Sequence, residues 1–170
     1  MNLYIKGLIY LAIFSILHFG YDLTEWKLLA PFCGINESVF QHLKMAFWAY
    51  ILASIVERFS KGRFNGTVVF WYPKLLSAVM LPWITMILWY IVPAVYGKIE
   101  VLWVEVAWSI LITYIAVIAV MVIERGIEAG KIDFSFKVVT FILFVVSVFL
   151  YVSFTYKLPW IDVFIDPKKV

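Results

Sequence analysis

Cysteine and charge are what this sequence is short of. Its 170 residues include one cysteine, Cys33. A single thiol excludes an intramolecular disulfide and any metal site built from several cysteines. Among apolar neighbours it reads as one more small apolar residue. Charged residues make up 15% of the chain, where soluble domains carry about a quarter. The formal net charge is only +3, and the basic residues form no stripe, so nucleic acid is not an expected partner. The chain also has no nucleotide-binding motif, no internal repeat, no low-complexity tract and no linker long enough to separate domains.

What is abundant is apolar surface. Hydrophobic residues are 65% of the chain and aromatics 19%, gathered into blocks that a soluble core of this size could not bury. The expected class is an all-α integral membrane protein: one bundle of about five transmembrane helices with a short outer C-terminal segment. The spans fall at about 4–21, 39–57, 68–93, 101–123 and 137–156. Lys6 followed by GLIYLAIFSILHFG looks like a signal peptide. No small-x-small cleavage site follows, so this block is read as a retained helix. Pro82 falls mid-span in the third block and is expected to kink it, and a broken or re-entrant third segment is the main alternative. The fifth block is rich in β-branched and aromatic residues, but the cost of unpaired backbone in lipid makes it a helix.

Lysine and arginine in short loops set the sidedness. Five spans put Lys6, Arg58, Lys61, Arg63, Arg125, Lys131 and Lys137 on one side. Lys27, Lys98, Lys157, Lys168 and Lys169 fall on the other. The denser set marks the cytoplasm. The expectation is a multi-pass protein of the cell membrane, N-terminus inside and C-terminus outside. Trp26, Trp48, Trp71, Trp83, Trp103, Trp108 and Trp160 then lie mostly near span ends, as an aromatic belt does. Glu57 beside Arg58 reads as an interfacial pair of little weight, and Lys74 as a snorkelling side chain.

Against this background the stretch NESVFQHLK, residues 36–44, is unusually polar. Helix capping explains half of it. Ser38 and Gln41 have capping-box spacing, Asn36 is a good cap one turn earlier, and Glu37 suits the helix dipole. Asn36-Glu37-Ser38 and Asn65-Gly66-Thr67 also fit the glycosylation acceptor pattern, which chance supplies often. Capping does not explain His42 and Lys44, nor His18 and Asp22, which share a face of the first helix at i, i+4. Glu105 lies about one turn inside the fourth span, after Glu100. Ionisable residues in a span are costly and usually face the bundle interior. His18, Asp22, Glu37, His42, Lys44 and Glu105 all project to one depth near the outer face, and they include both histidines of the chain.

Two readings of this set stay open. In the first, His18 and His42 give nitrogen ligands and Asp22 or Glu37 an oxygen ligand to a divalent metal (zinc, iron or manganese), because two His and a carboxylate form such sites; with Asp22 as the ligand, Glu37 and Lys44 are the catalytic groups. In the second, Lys44 and the histidines neutralise the carboxylates in a polar network that includes Asn36, Ser38 and Glu105. The tail TYKLPWIDVFIDPKKV is too apolar for disorder. It is expected to fold back over the outer surface, with Asp162 or Asp166 near the cluster, or to dock on a partner.

LHFGYD, NESVFQHLKMAFWA and the tail FTYKLPWIDVFIDP together resemble a family of small prokaryotic polytopic membrane proteins of unknown function. The family pattern runs His-x-x-Tyr-Asp, then Asn-Glu-Ser-x-x-x-His-x-Lys, then a tail with Pro and Asp-Pro. It marks His18, Tyr21, Asp22, Asn36, Glu37, Ser38, His42, Lys44 and Asp166-Pro167. Lys157-Leu158-Pro159 departs from it, standing where consecutive prolines are expected. The resemblance implies no reaction and no substrate.

Three functions are therefore weighed. The first is an accessory or binding subunit of a larger membrane complex, or a homo-oligomer, in the lipid bilayer. The second is a metal-dependent hydrolase acting on a lipid or lipid-linked substrate at the outer leaflet, with Glu37 as base. The third is proton-linked transport of a small solute, ranked last because the inner halves of the spans look too apolar for a polar path.

Overall fold

A computed structural model describes residues 1–60, 67–97 and 99–166 of the chain, and the side chains of 67–69 are not among the described ones. Lys61, Arg63, Asn65, Gly66, Lys98, Pro167, Lys168 and Lys169 lie outside the described residues. Five long helices carry the fold: α1 (Leu3–Thr24), α2 (Val39–Ser60), α3 (Thr67–Tyr96), α4 (Leu102–Ala129) and α5 (Phe134–Tyr156). All five are long and apolar enough to cross a bilayer, and there is no strand among the described residues. In lipid only a helix satisfies the backbone of an isolated apolar segment, so block length decides the structure ahead of β propensity.

Local chemistry sets several ends. Asn2 caps α1, its Oδ1 accepting from the Tyr4 N–H at 2.8 Å. α1 stops at Glu25, which is left-handed (φ 51°) and returns its N–H to the Tyr21 carbonyl. Asp133 caps α5 through the Phe136 N–H at 2.8 Å. α3 runs unbroken through Pro73, Pro82 and Pro93, so the re-entrant alternative does not hold. α4 continues to Ala129, beyond the expected boundary at 123, because Glu124 turns into the protein.

α1, α2, α3 and α4 close a ring, each packed on the next and α4 back on α1, while α5 leans on α3. α2 is the most enclosed: 61% of its apolar window is buried, against 17–33% for the other helices. Its Phe47 meets Phe144 and Tyr151 of α5 at 5.6 and 5.1 Å between ring centroids. The outward faces stay apolar and open, with Ile16, Ile87, Ile110, Val122 and Phe149 all exposed, as a lipid-facing surface requires. Between such helices lipid supplies no hydrophobic drive, so close packing must hold them. Gly7 is one place where α1 packs tightly on α4: a Cβ there would sit 2.9 Å from Tyr114 Cε2 and 3.2 Å from Ile118 Cδ1.

The tail folds back as expected. Its 3-10 turn Asp162–Phe164 rests on α2, and Phe164 lies 4.7 Å from the Phe40 ring and 5.4 Å from Phe154. The end of the bundle holding this tail and the α1–α2 connection is called the loop end below, and the opposite one the N-terminal end.

Gly7→Val is expected to overpack the α1–α4 crossing and lower stability by about 1–3 kcal/mol. It should be read as a lower unfolding midpoint in detergent. An unchanged midpoint would mean that α1 and α4 do not meet at Gly7.

Candidate functional site

At the loop end, backbone geometry aims the polar residues. The Gly34 N–H donates to the Leu17 carbonyl at 3.1 Å, tying the connection to α1 beside His18. Asn36 Oδ1 accepts from the Ser38 N–H at 3.0 Å, closing an Asx turn across Glu37. His42 Nδ1 lies 3.0 Å from the Ser38 carbonyl. That contact needs the proton on Nδ1 and leaves Nε2 as the bare nitrogen. Nε2 then faces Glu37 Oε2 at 3.7 Å, and His18 Nε2 faces the same oxygen at 3.7 Å. The imidazoles meet edge to face with centroids 5.3 Å apart. One ligand atom from each of His18, Glu37 and His42 lies within 4.8 Å of the others. The three side chains are 26–39% exposed, so the site opens to its surroundings. His18 Nδ1 is buried without a hydrogen-bond partner among the described residues.

The other residues singled out in the sequence lie elsewhere. Asp22 sits one turn nearer the helix end, exposed, beside a groove of about 370 Å³ lined with Tyr21, Glu25 and Lys27; it is Glu37 that both histidines meet. Glu105 is half-buried on α4, with no hydrogen bond or ion pair to the described residues of the cluster. Lys44 is fully buried and points away. Its Nζ donates to the Ala30 carbonyl at 2.6 Å and to Thr155 Oγ1 at 3.2 Å, fastening the connection to α5. The capping box does not close: Ser38 Oγ has no partner, and Gln41 Oε1 accepts from the Ile35 N–H at 3.4 Å instead. Asp166 is half-buried in the tail.

Cys33 is buried in the same connection, near Lys44. Burial pushes its thiol pKa up, against the opposing pull of the Lys44 ammonium.

The N-terminal end holds a second polar cluster that the sequence reading missed. Lys6 Nζ lies 2.8 Å from Glu57 Oε2 and 3.2 Å from Glu124 Oε1. Lys74 Nζ lies 2.8 Å from Glu124 Oε1 and 3.9 Å from Glu57 Oε2. Two lysines and two glutamates thus alternate around a closed ring, with side chains 1–7% exposed and one member from each of α1 to α4, α2 giving Glu57. Tyr50 donates its phenol proton to Glu124 Oε2 at 2.5 Å, and Glu128 pairs with Lys74. Glu57 is therefore part of a buried ring, and Lys74 does not snorkel to an interface. Both were read as surface features because the sequence shows each beside a span end. The usable signal was four opposite charges at matching depth in four consecutive spans.

Lys74→Met would leave Glu124 with one lysine and strip Glu128 of its partner. Breaking a buried pair from one side costs about 3–5 kcal/mol. A large drop in the unfolding midpoint is expected, and an unchanged midpoint would show that the ring carries no stability. Cys33 should resist a water-soluble maleimide in the folded protein near neutral pH. A raised thiol pKa and burial both lower thiolate access, and labelling should follow on denaturation, read by intact mass. Rapid labelling of the folded chain would contradict this placement.

Comparison with known proteins closes the identification as far as it goes. No curated protein and no solved structure matches the chain. A family of unknown function, DUF6512, matches residues 2–169. The match spans nearly the whole sequence, and the chain belongs to that family.

Proposed function

We propose that this protein holds a divalent metal ion between His18, Glu37 and His42 and uses it in hydrolysis of a lipid or lipid-linked substrate. The observation carrying the reading is the convergence of two imidazole nitrogens and one carboxylate oxygen within 4.8 Å. Zinc, iron and manganese suit such a set. Three protein ligands leave positions for water and substrate, and a bound divalent ion turns water into a nucleophile at neutral pH. Glu37 as a ligand cannot also be the free base, and the one carboxylate of α1 is Asp22, a turn beyond His18.

Position supports the substrate class. His42 is in the first turn of α2, and His18 is under two turns from the end of α1. The site therefore lies about where hydrocarbon gives way to headgroups. Phe19, in ring contact with His18, and Ile16 are exposed on the apolar face of α1. Arg125, Lys131 and Lys137 belong to the opposite end, which by the positive-inside rule faces the cytoplasm. The site then opens on the outer leaflet of the cell membrane.

A second reading is an accessory subunit. It rests on the tail, where Trp160 is 94% exposed with Leu158 and Ile161 beside it, a surface that would suit a membrane partner. A stoichiometric partner copurifying with the chain, and lost on removing Trp160, would favour it.

Protein purified in detergent from native membranes without chelator is expected to carry about one transition-metal ion per chain, and His42→Ala none. Asn36→Ala should weaken binding by about 10–100-fold, as loss of an outer-shell partner does, while Asn36→Asp keeps the Asx turn and the metal. Wild-type protein that is metal-free and takes up no added zinc, manganese or ferrous iron would end this reading.

A further inference from the structure

The ring at the N-terminal end does more than join helices: we infer that Glu128, Lys74, Glu124 and Tyr50 form an intramembrane proton-exchange site, loaded from the solution at that end. Three contacts join these four side chains in a continuous hydrogen-bonded chain. Glu128, its side chain 35% exposed, accepts from Lys74. Lys74 Nζ, 1% exposed, donates to Glu124 Oε1 at 2.8 Å. Glu124 Oε2 accepts from the Tyr50 hydroxyl at 2.5 Å. Tyr50 is near the midpoint of α2 and has no exposed surface. The chain thus runs from solvent at Glu128 to the middle of the bundle, every step between groups that hold or pass a proton. Beyond it lies Tyr10, fully buried with its hydroxyl unpartnered and its ring 6.3 Å from that of Tyr50.

The exchange balances. A proton from solution adds to the Glu128 carboxylate. Lys74 passes one ammonium proton to Glu124 and takes the new one from Glu128, remaining an ammonium. The net change is one proton on Glu124, held against the Tyr50 phenol, and one negative charge fewer in the cluster. The charged and titratable groups around Glu124 are Lys6 from α1, Tyr50, Glu57 and Arg58 from α2, Lys74 from α3 and Glu128 from α4, and among the described residues α5 gives no contact to the network. Arg58 stands over the Phe70 ring, as does Lys74. A ring serving only to lock the helices needs neither an outlet at Glu128 nor a phenol at its inner end. Tyr50 and Glu128 are what make it a site.

Dicyclohexylcarbodiimide tests this on the wild-type protein in liposomes, because it modifies a carboxyl only when protonated in apolar surroundings. Peptide mass mapping is expected to find the adduct on Glu124, increasing from mildly alkaline to mildly acidic pH and absent in Glu124→Gln. Glu128→Gln, at the exposed end of the chain, should slow the labelling while leaving the unfolding midpoint near that of wild type. No adduct on Glu124 of folded wild-type protein at any pH in that range would overturn the inference and leave a permanently ionised lock. Labelling of Glu124 that Glu128→Gln does not slow would overturn the entry route.

Discussion

Everything in this fold depends on a charge constraint: two ammonium groups and two carboxylates sit where no water can solvate them. Isolated, any one would cost many kcal/mol in an apolar interior. Alternated in a ring, each lysine touches two carboxylates and each carboxylate two lysines. The ring can close only if α1, α2, α3 and α4 bring their matching ends together at one depth. It therefore specifies the order of helices around the bundle, which apolar packing in lipid specifies poorly. α5, which gives the ring nothing, is the helix left outside it, held by aromatic contacts and by Lys44 through Thr155.

The two ends of the bundle are built on opposite logic. At the N-terminal end cations and anions alternate, three ring contacts lying at 2.8–3.2 Å and the Lys74–Glu57 contact at 3.9 Å, and the ring closes over itself. At the loop end both histidines face one carboxylate from 3.7 Å, too far for good hydrogen bonds. Ser38 Oγ, Gln41 Nε2 and His18 Nδ1 are buried there without hydrogen-bond partners among the described residues. Unsatisfied buried polar atoms are rare in proteins and call for a cause. Lys44, buried in the same connection, is spent on a carbonyl and a hydroxyl. Built this way, the loop end leaves the imidazole nitrogens of His18 and His42 facing the Glu37 carboxylate at a separation that a ligand could bridge.

How much of this was legible in the sequence depended on the range of each interaction. The five spans were readable because bilayer thickness sets a length that apolar blocks either reach or miss. The tail's return was readable from Val163 and Phe164, too apolar to stay in water. His18 and His42 were readable as a pair because the sequence has only two histidines and both fall at one depth. The choice between Asp22 and Glu37 as their carboxylate partner was not, because an Asx turn decides the direction of Glu37 and spacing does not. The capping box failed for a similar reason: the Ile35 N–H, held by the folded connection, drew Gln41 away from Ser38. The ring was missed because each charge was weighed against its sequence neighbours, Glu57 against Arg58, when its partners were a helix away.

One stripe of α1 joins the two ends. Lys6, Tyr10, Phe14 and His18 recur every fourth residue, so they lie on one face. Tyr50 packs on Tyr10, Tyr10 on Phe14 at 6.1 Å, and Phe14 on His18 at 6.4 Å. Tyr10 extends the polar groups of the N-terminal end toward the middle, and His18 marks the limit of those at the loop end. Phe14 is the link that can neither donate nor accept a proton. This changes the objection to transport, because the spans near the N-terminal end are not too apolar: they carry five buried or half-buried charges. What separates the ends is one phenyl ring and its packing, the arrangement a membrane protein needs if two polar sites are to coexist without leaking protons between them.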